Sequence, residues 1–346
     1  MLRLEPIRCT PGSVGGMRAA VVTAADRPWE LQDLAMPEPG PDQVVMKIGA
    51  SGLCFTDVHQ ASGHFGMPFP MRLGHEPVGE IVAIGSAVTT RRVGDRVGVP
   101  WHQRGCGRCE YCQRNKPERC PNAVQTAISL AGGHAEYMLA YEDGTVLLPE
   151  GLSYEQAAPI FCAGYTVYSG LMAAKPQPHE TVAVVGIGGL GHLALQYAKA
   201  AGFTTYAVTS SKDKEKLVKH LGADEVFADA DALKKAGGAD IILGTSNSAD
   251  VMGSMVGALR PDGRLVVMGV DGKPMPISGI ELLSGRKSIV GSSQNGRTDL
   301  YEALDYVAKG KVKVVAETFK LTDINTAYEK VKAGSVRFRA VILPGD

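Results

Sequence analysis

The chain has 346 residues, and its 36 Lys and Arg balance 36 Asp and Glu. That length exceeds what one hydrophobic core ordinarily supports and points to two domains. The charge balance excludes the basic footprint of a protein that coats nucleic acid or an anionic membrane, and favours a small, weakly charged partner.

The first residues, MLRLEPIRCTPGSVGG, are broken by Glu5, Pro6, Arg8 and Pro11 and hold no apolar core of the length a secretory signal needs. The longest apolar stretch, Thr181 to Leu195, contains four glycines and a histidine, so it reads as strand, turn and helix rather than as about 20 lipid-facing residues. The expectation is a cytoplasmic protein that does not enter a membrane.

From about Met17 to Pro149 the pattern is short alternating strands punctuated by turns: MRAAVVTA, VVMKIGASG, GEIVAIGSAV, GDRVGV and AEYMLA. This predicts a mostly β, partly barrel-like domain. From about Tyr165 to Gly296 buried strands alternate with amphipathic helices, as in TVAVVGIG followed by GLGHLALQYAKAAG and TTYAVT followed by KDKEKLVKHLG. That alternation predicts a parallel, doubly wound α/β sheet. The tail (DLYEALDYVAKG, KVVAETF, DINTAYEKVKAG, RAVILP) no longer alternates and is expected to return to the first domain. The predicted division is therefore 1–164 with 297–346, and 165–296.

Seven cysteines stand at positions 9, 54, 106, 109, 112, 120 and 162, an odd count whose tight local spacing favours metal ligation over a disulfide framework. Cys106, Cys109, Cys112 and Cys120 form a C-x2-C-x2-C-x7-C run in a loop where Gly105 and Gly107 permit tight turns. Four thiolates at this density suit a closed tetrahedral zinc with no position left for substrate, hence a structural site; an iron–sulfur cluster or free thiols are the alternatives.

A second signal is GIGGLG, in which Gly186, Gly188, Gly189, Leu190 and Gly191 follow the strand TVAVV and open a helix. Glycines there let the backbone approach a pyrophosphate lying at the helix N-terminus. A lone G-x-G-x-x-G is also an ordinary turn, and the strand before it, the helix after it and the further strand at Thr204 favour dinucleotide binding. Past that further strand stand Thr209, Ser210, Ser211 and Lys212, with no acid at the strand end to grip ribose hydroxyls. Two hydroxyls and an ammonium suit a 2′-phosphate, so NADP(H) is expected in preference to NAD(H). A polar helix-start turn that tolerates either cofactor is the other reading.

Cys54 in GLCFTDVH, His75 and Glu76 in LGHEPVGE, and Cys162 in PIFCAGYTVY are too far apart for a local ligand motif. Each alone reads as a buried cysteine or a hydrogen-bonded histidine. Taken with GDRVGV, the four-cysteine loop and the glycine motif, these segments in this order resemble the zinc-dependent medium-chain alcohol dehydrogenases, in the branch of cinnamyl-alcohol-type and bacterial tetrameric enzymes. The likeness covers nearly the whole chain.

The resemblance implies a GroES-like catalytic domain beside a Rossmann domain, two zinc ions per chain, and a homo-oligomer, dimer or tetramer. It implies that Cys54, His75 and Cys162 ligate a catalytic zinc, with Glu76 an alternative ligand, and that zinc acts as a Lewis acid on a bound hydroxyl. Thr56 and His59 match the family's proton relay, in which the threonine accepts from the alcohol, the nicotinamide ribose passes the proton on, and the histidine delivers it to water. Asp57 matches a carboxylate that orients a zinc ligand, or else it caps its helix. Phe65 and Trp101 match walls of the substrate pocket, and Phe161 precedes the third ligand. Thr166, in CAGYTVYSGL, joins the cofactor-binding set. Phe55 departs from the His or Arg that many relatives carry there to contact the pyrophosphate. Arg286 could supply that charge instead, or be a solvated loop arginine. A zinc protein that kept the fold without catalysis, and zinc-free quinone reduction, are the competing readings.

Overall fold

The computed structural model describes residues 16–211, 215–269 and 272–345. The chain divides into two compact units, Met1–Cys162 with Val315–Asp346, and Ala163–Val314.

The first unit is built on a seven-stranded sheet. Its main path runs Ala316–Lys320, Arg339–Leu343, Gln43–Leu53, Glu76–Ile84, Arg96–Gly98 and Val146–Leu147, with Tyr137–Tyr141 also pairing to Gln43–Leu53. The central strand, QVVMKIGASGL, is buried on both faces over most of its length, with Lys47 its exposed residue. Val44, Met46 and Ile48 point to one side, where Ile81, Val97, Met138 and Ala140 close over them. Each large side chain so buried contributes roughly 1.5–3 kcal/mol. On the other side the helices Phe55–Ala61 and Ile324–Lys332 bury Val58, Ala61, Ile324, Ala327, Tyr328 and Val331 with Leu53 and Ile342.

The second unit is a six-stranded parallel sheet in the order Glu225–Phe227, Thr204–Val208, Thr181–Val185, Ala239–Gly244, Leu259–Val267, Ser288–Gly291. Strand order reverses between Thr181–Val185 and Ala239–Gly244, which opens a crevice at the carboxyl ends of those strands. Thr181–Val185 is wholly buried, as its apolar, β-branched sequence requires.

The second boundary falls at Val315 rather than at 297. The helix Arg297–Ala308 belongs to the parallel-sheet unit because its apolar stripe, Leu300, Ala303, Leu304 and Val307, is buried there. Tyr197 Oη donates to the Ala303 carbonyl at 3.0 Å and Ser169 Oγ to Asp299 at 2.5 Å, fixing the helix against its neighbours. The tail does return to the first unit, but only from its next strand onward.

Candidate active site

Cys54 ends the central strand and stands, in extended backbone (φ −113, ψ 162), just before the helix Phe55–Ala61. Glu76 opens the adjacent antiparallel strand with His75 just before it, and Cys162 closes a 3-10 turn over Ala158–Phe161. Three segments remote in sequence thereby converge. One ligand atom each from Cys54, His75, Glu76 and Cys162 lies within 4.8 Å of the others.

The donor set fits a divalent metal. The two sulfurs are 4.0 Å apart, close to the ~3.8 Å of two thiolates sharing a tetrahedral zinc at about 2.3 Å. Buried His75 Nε2 and Glu76 Oε2 have no hydrogen-bond partner, an arrangement a cation would resolve. The thiols influence each other: the Cys162 hydrogen bond holds Cys54 well below the usual thiol range, and the same contact pushes Cys162 up. Burial pushes Glu76 to about 7 against the pull of Arg339.

Asp57 performs both roles open to it. Its Oδ2 accepts from the Cys54 backbone N–H at 2.8 Å, capping the helix, while Oδ1 lies 3.3 Å from His75 Nδ1 and accepts from Gly74 N–H at 3.1 Å. Burial opposes its charge, but His75 outweighs burial and holds the carboxyl below its usual range. This fixes the His75 ring with Nε2 turned toward the thiols.

Thr56 Oγ1 lies 3.7 Å from Cys54 Sγ. One turn on, half-buried His59 sits between Phe55, edge-on at 5.0 Å, and Phe65, stacked at 6.5 Å, with His64 5.5 Å away. Phe65 therefore flanks His59. Trp101 meets His75 edge-on at 5.2 Å. Phe161 is a core residue, wholly buried, and its ring occupies the space a side chain at Gly98 would need.

The four loop cysteines also converge within 4.8 Å. Cys109 Sγ is 3.5 Å from Cys112 Sγ and 3.6 Å from Cys120 Sγ, and the backbone N–H groups of Cys106 and Asn122 point at Cys120 Sγ from 3.3 Å. A side chain at Gly105 would stand 3.0 Å from Pro117 Cβ and press on Cys112 Sγ, so the loop closes only around glycine.

In the parallel-sheet unit the glycine turn follows Val185. Gly186 has φ +88, and a Cβ there would lie 2.8 Å from the Ser246 backbone; one at Gly191 would strike the Gly186 carbonyl. Gly188 has nothing within 4 Å of a Cβ. Packing accounts for the outer glycines, while the middle one leaves open backbone of the kind a pyrophosphate approaches. Gly189 and Leu190 lead from it into the helix Gly191–Ala200. Thr166 is half-buried on the helix Ala163–Ala173. Thr209 follows the second strand and donates to the Phe227 carbonyl at 2.9 Å, Ser211 N–H donates to Thr209 Oγ1 at 3.3 Å, and Ser210 is exposed. Lys212 lies outside the described residues.

Arg286 does not join this site. Val185, Gly244, Val267 and Gly291 are aligned in register at the carboxyl end of the sheet, whereas Arg286 precedes Ser288 at the opposite end. It pairs there with Asp262, Nη2 to Oδ2 at 2.5 Å. The solvated reading of this arginine holds, and the charge absent at Phe55 is not replaced from this position.

Sequence reasoning missed Arg339. Buried on the last strand, it donates to Glu76 Oε1 at 2.5 Å.

A GroES-like sheet carrying a two-cysteine, one-histidine centre, with a dinucleotide-type sheet in the same chain, defines a class of metal-dependent dehydrogenase. Residues 40–150 match the alcohol dehydrogenase GroES-like domain and residues 189–309 the zinc-binding dehydrogenase domain. The chain is 38% identical to an alcohol dehydrogenase of Geobacillus stearothermophilus over 94% of its own length and 99% of the relative's. Among solved structures, it is similar to a cinnamyl alcohol dehydrogenase from Sorghum bicolor, with 30% identity, a TM-score of 0.87, and 95% and 98% of the two chains covered. It is also similar to a cobalt- and zinc-bound thermostable alcohol dehydrogenase from Pyrobaculum aerophilum, with 27% identity, a TM-score of 0.87, and 95% and 100% covered. The chain belongs to the zinc-type medium-chain alcohol dehydrogenase family. Among the described residues, no helix is long and apolar enough to cross a membrane.

Proposed function

We propose that this chain interconverts a primary alcohol, aromatic or allylic, with its aldehyde, using NADP(H) in preference to NAD(H) and two zinc ions. The observation that carries the reading is the convergence of Cys54, His75, Glu76 and Cys162 within 4.8 Å, with Thr56 beside Cys54. When bound, zinc would supply Lewis acidity toward a substrate oxygen and the nicotinamide cofactor the capacity to give or take a hydride. Cys54, His75 and Cys162 would hold the catalytic zinc, with Glu76 as the alternative ligand, and Asp57 orients His75 for it.

Thr56 takes the hydroxyl proton and His59 delivers it to water. Phe65 and Trp101 present aromatic surface to the substrate. Cys106, Cys109, Cys112 and Cys120 hold the structural zinc. Thr166, the glycine turn from Gly186 to Gly191, and Thr209 to Lys212 bind the cofactor.

The same reading includes a cytoplasmic location and a homo-oligomer, the latter supported by apolar Ile280 and Leu283 at 67% and 74% exposure on the helix Gly279–Gly285. The test is a panel of aliphatic, allylic and aromatic aldehydes with each reduced cofactor, followed at 340 nm. Binding of cofactor without turnover of any aldehyde would favour a non-catalytic zinc protein instead.

A further inference from the structure

His134 is wholly buried and tied to its neighbours through backbone alone: its N–H donates to the Leu73 carbonyl at 3.0 Å and its carbonyl accepts from Ala20 N–H at 2.9 Å. The ring lies against Gly74, where a Cβ would come within 2.8 Å of the imidazole Cγ, and packs 5.6 Å from the indole of Trp29. Trp29 belongs to an apolar cluster with Val22, Leu53, Met71 and Leu73. Neither ring nitrogen of His134 has a hydrogen-bond partner, and neither does Trp29 Nε1. Buried polar atoms are almost always satisfied, by protein or by internal water, so this group of unpartnered nitrogens asks for a ligand.

Asp57 Oδ1 lies 4.0 Å from His134 Nε2. That is too long for a direct bond, and one water with ordinary bonds of about 2.8 Å at each end spans up to about 5.6 Å, enough to join the ring to this carboxylate. Asp57 Oδ1 already accepts from Gly74 and lies against His75, while Oδ2 accepts only from Cys54, so of the carboxylate's four or so acceptor directions the one that remains is on Oδ2. Burial holds the His134 ring down to about 4, against the pull of Asp57. The ring is therefore neutral near pH 7, with one nitrogen to donate and one to accept.

We propose that His134 is a positioning residue of the metal centre: with one internal water held between its ring and Asp57, it fixes the carboxylate that orients His75. The proposal rests on the metal-site reading above. Losing the water would let the Asp57 carboxylate swing on its Cys54 and Gly74 contacts and loosen the His75 ring. Partners of this kind typically govern metal affinity by 10–100-fold.

The test uses the purified full-length enzyme, in zinc-loaded and cobalt-substituted forms. His134→Phe fills the ring's volume without its nitrogens, and His134→Gln keeps polar atoms at similar reach. The expected result is catalytic-zinc release to a chromophoric chelator at least ~10-fold faster in His134→Phe, with a shifted visible spectrum of cobalt at that site. His134→Gln should return both toward the parent, and release from the four-cysteine site should be unchanged throughout. A residue that mattered only to packing would move the thermal midpoint and neither metal readout. If His134→Phe does not fold, His134→Leu carries the same comparison. Variants that release zinc and absorb as the parent does overturn the proposal alone, whereas a parent holding no metal at Cys54, His75 and Cys162 overturns the metal-site reading and this proposal with it.

Discussion

Arg339 and Glu76 form a buried ion pair, Nη2 to Oε1 at 2.5 Å, with 4% and 0% of the side chains exposed. Gly52 makes room for it, since any side chain there would collide with Glu76 Oε2. Burial opposes charge on Glu76 and the guanidinium counters it. Arg339→Met is expected to destabilise by ~3–5 kcal/mol, because it leaves a buried acid without its partner. Urea unfolding measures this. Adding Glu76→Gln to Arg339→Met should recover much of the loss, and a double variant no more stable than the single would show that packing of the arginine stem, not the pair, carries the effect.

The two cysteine centres are expected to differ in lability. A closed four-thiolate site has no open face, while a three-ligand site exchanges its fourth position. Mild chelation should therefore abolish turnover before the fold melts, with elemental analysis falling from two zinc per chain toward one. Cys162→Ala should remove catalysis and keep the fold, and Cys109→Ala should chiefly reduce stability. An active preparation with one zinc or none would contradict this.

Legibility in the sequence follows the distance between cooperating residues. The four loop cysteines and the glycine turn lie within short spans, so spacing reveals them directly. Cys54 and His75 meet where the strands Gln43–Leu53 and Glu76–Ile84 pair, and Cys162 reaches them from the end of a 3-10 turn, so in the sequence resemblance rather than local chemistry brings them together. Arg339 carries an unread signal, a lone cation opening the apolar strand RAVIL, and His134 carries another, an imidazole leading into the strand YMLAY. Both mark polar groups pointed into the core, whose partners only the fold supplies. The sequence places the helix Arg297–Ala308 in the first unit, and the structure in the second, because an amphipathic stripe shows that a face is buried and not against what. Arg286 fails for the same reason: its charge is visible in sequence, but the end of the sheet it occupies is not.

His59 is held below its usual range by burial and next by the neighbouring His64. A relay base works in its neutral form, so alcohol oxidation should rise with pH through an inflection below the ordinary histidine value of ~6.5 and level off above it. His64→Gln removes the second cause and should move that inflection upward without abolishing activity. His59→Gln should slow turnover roughly tenfold or more while leaving cofactor affinity nearly unchanged. Initial rates against pH for the three proteins decide it, and an unchanged profile and turnover in His59→Gln would dispose of the relay.

The cofactor preference turns on the residues just past the strand Thr204–Val208. A carboxylate at such a strand end would accept from the adenine ribose hydroxyls of NAD; Thr209, Ser210 and Ser211 offer none. Ser211 N–H is engaged with Thr209 Oγ1, while Ser210 is exposed and its hydroxyl has room to donate to a phosphate. A carboxylate placed there would repel a 2′-phosphate charge by about 4 kcal/mol at ~4 Å with an effective dielectric near 20. The wild-type enzyme is accordingly expected to show higher kcat/KM with NADPH than with NADH, and Ser210→Asp to weaken use of NADPH at least ~10-fold while sparing or improving NADH. Ser210→Ala, which removes the hydroxyl without adding charge, should weaken NADPH by a smaller factor, as the loss of one hydrogen bond to a charged group implies. Paired measurements with both cofactors on the three proteins separate recognition from repulsion. A wild-type enzyme that works better with NADH would mean that the polar turn binds no phosphate and only starts the next helix.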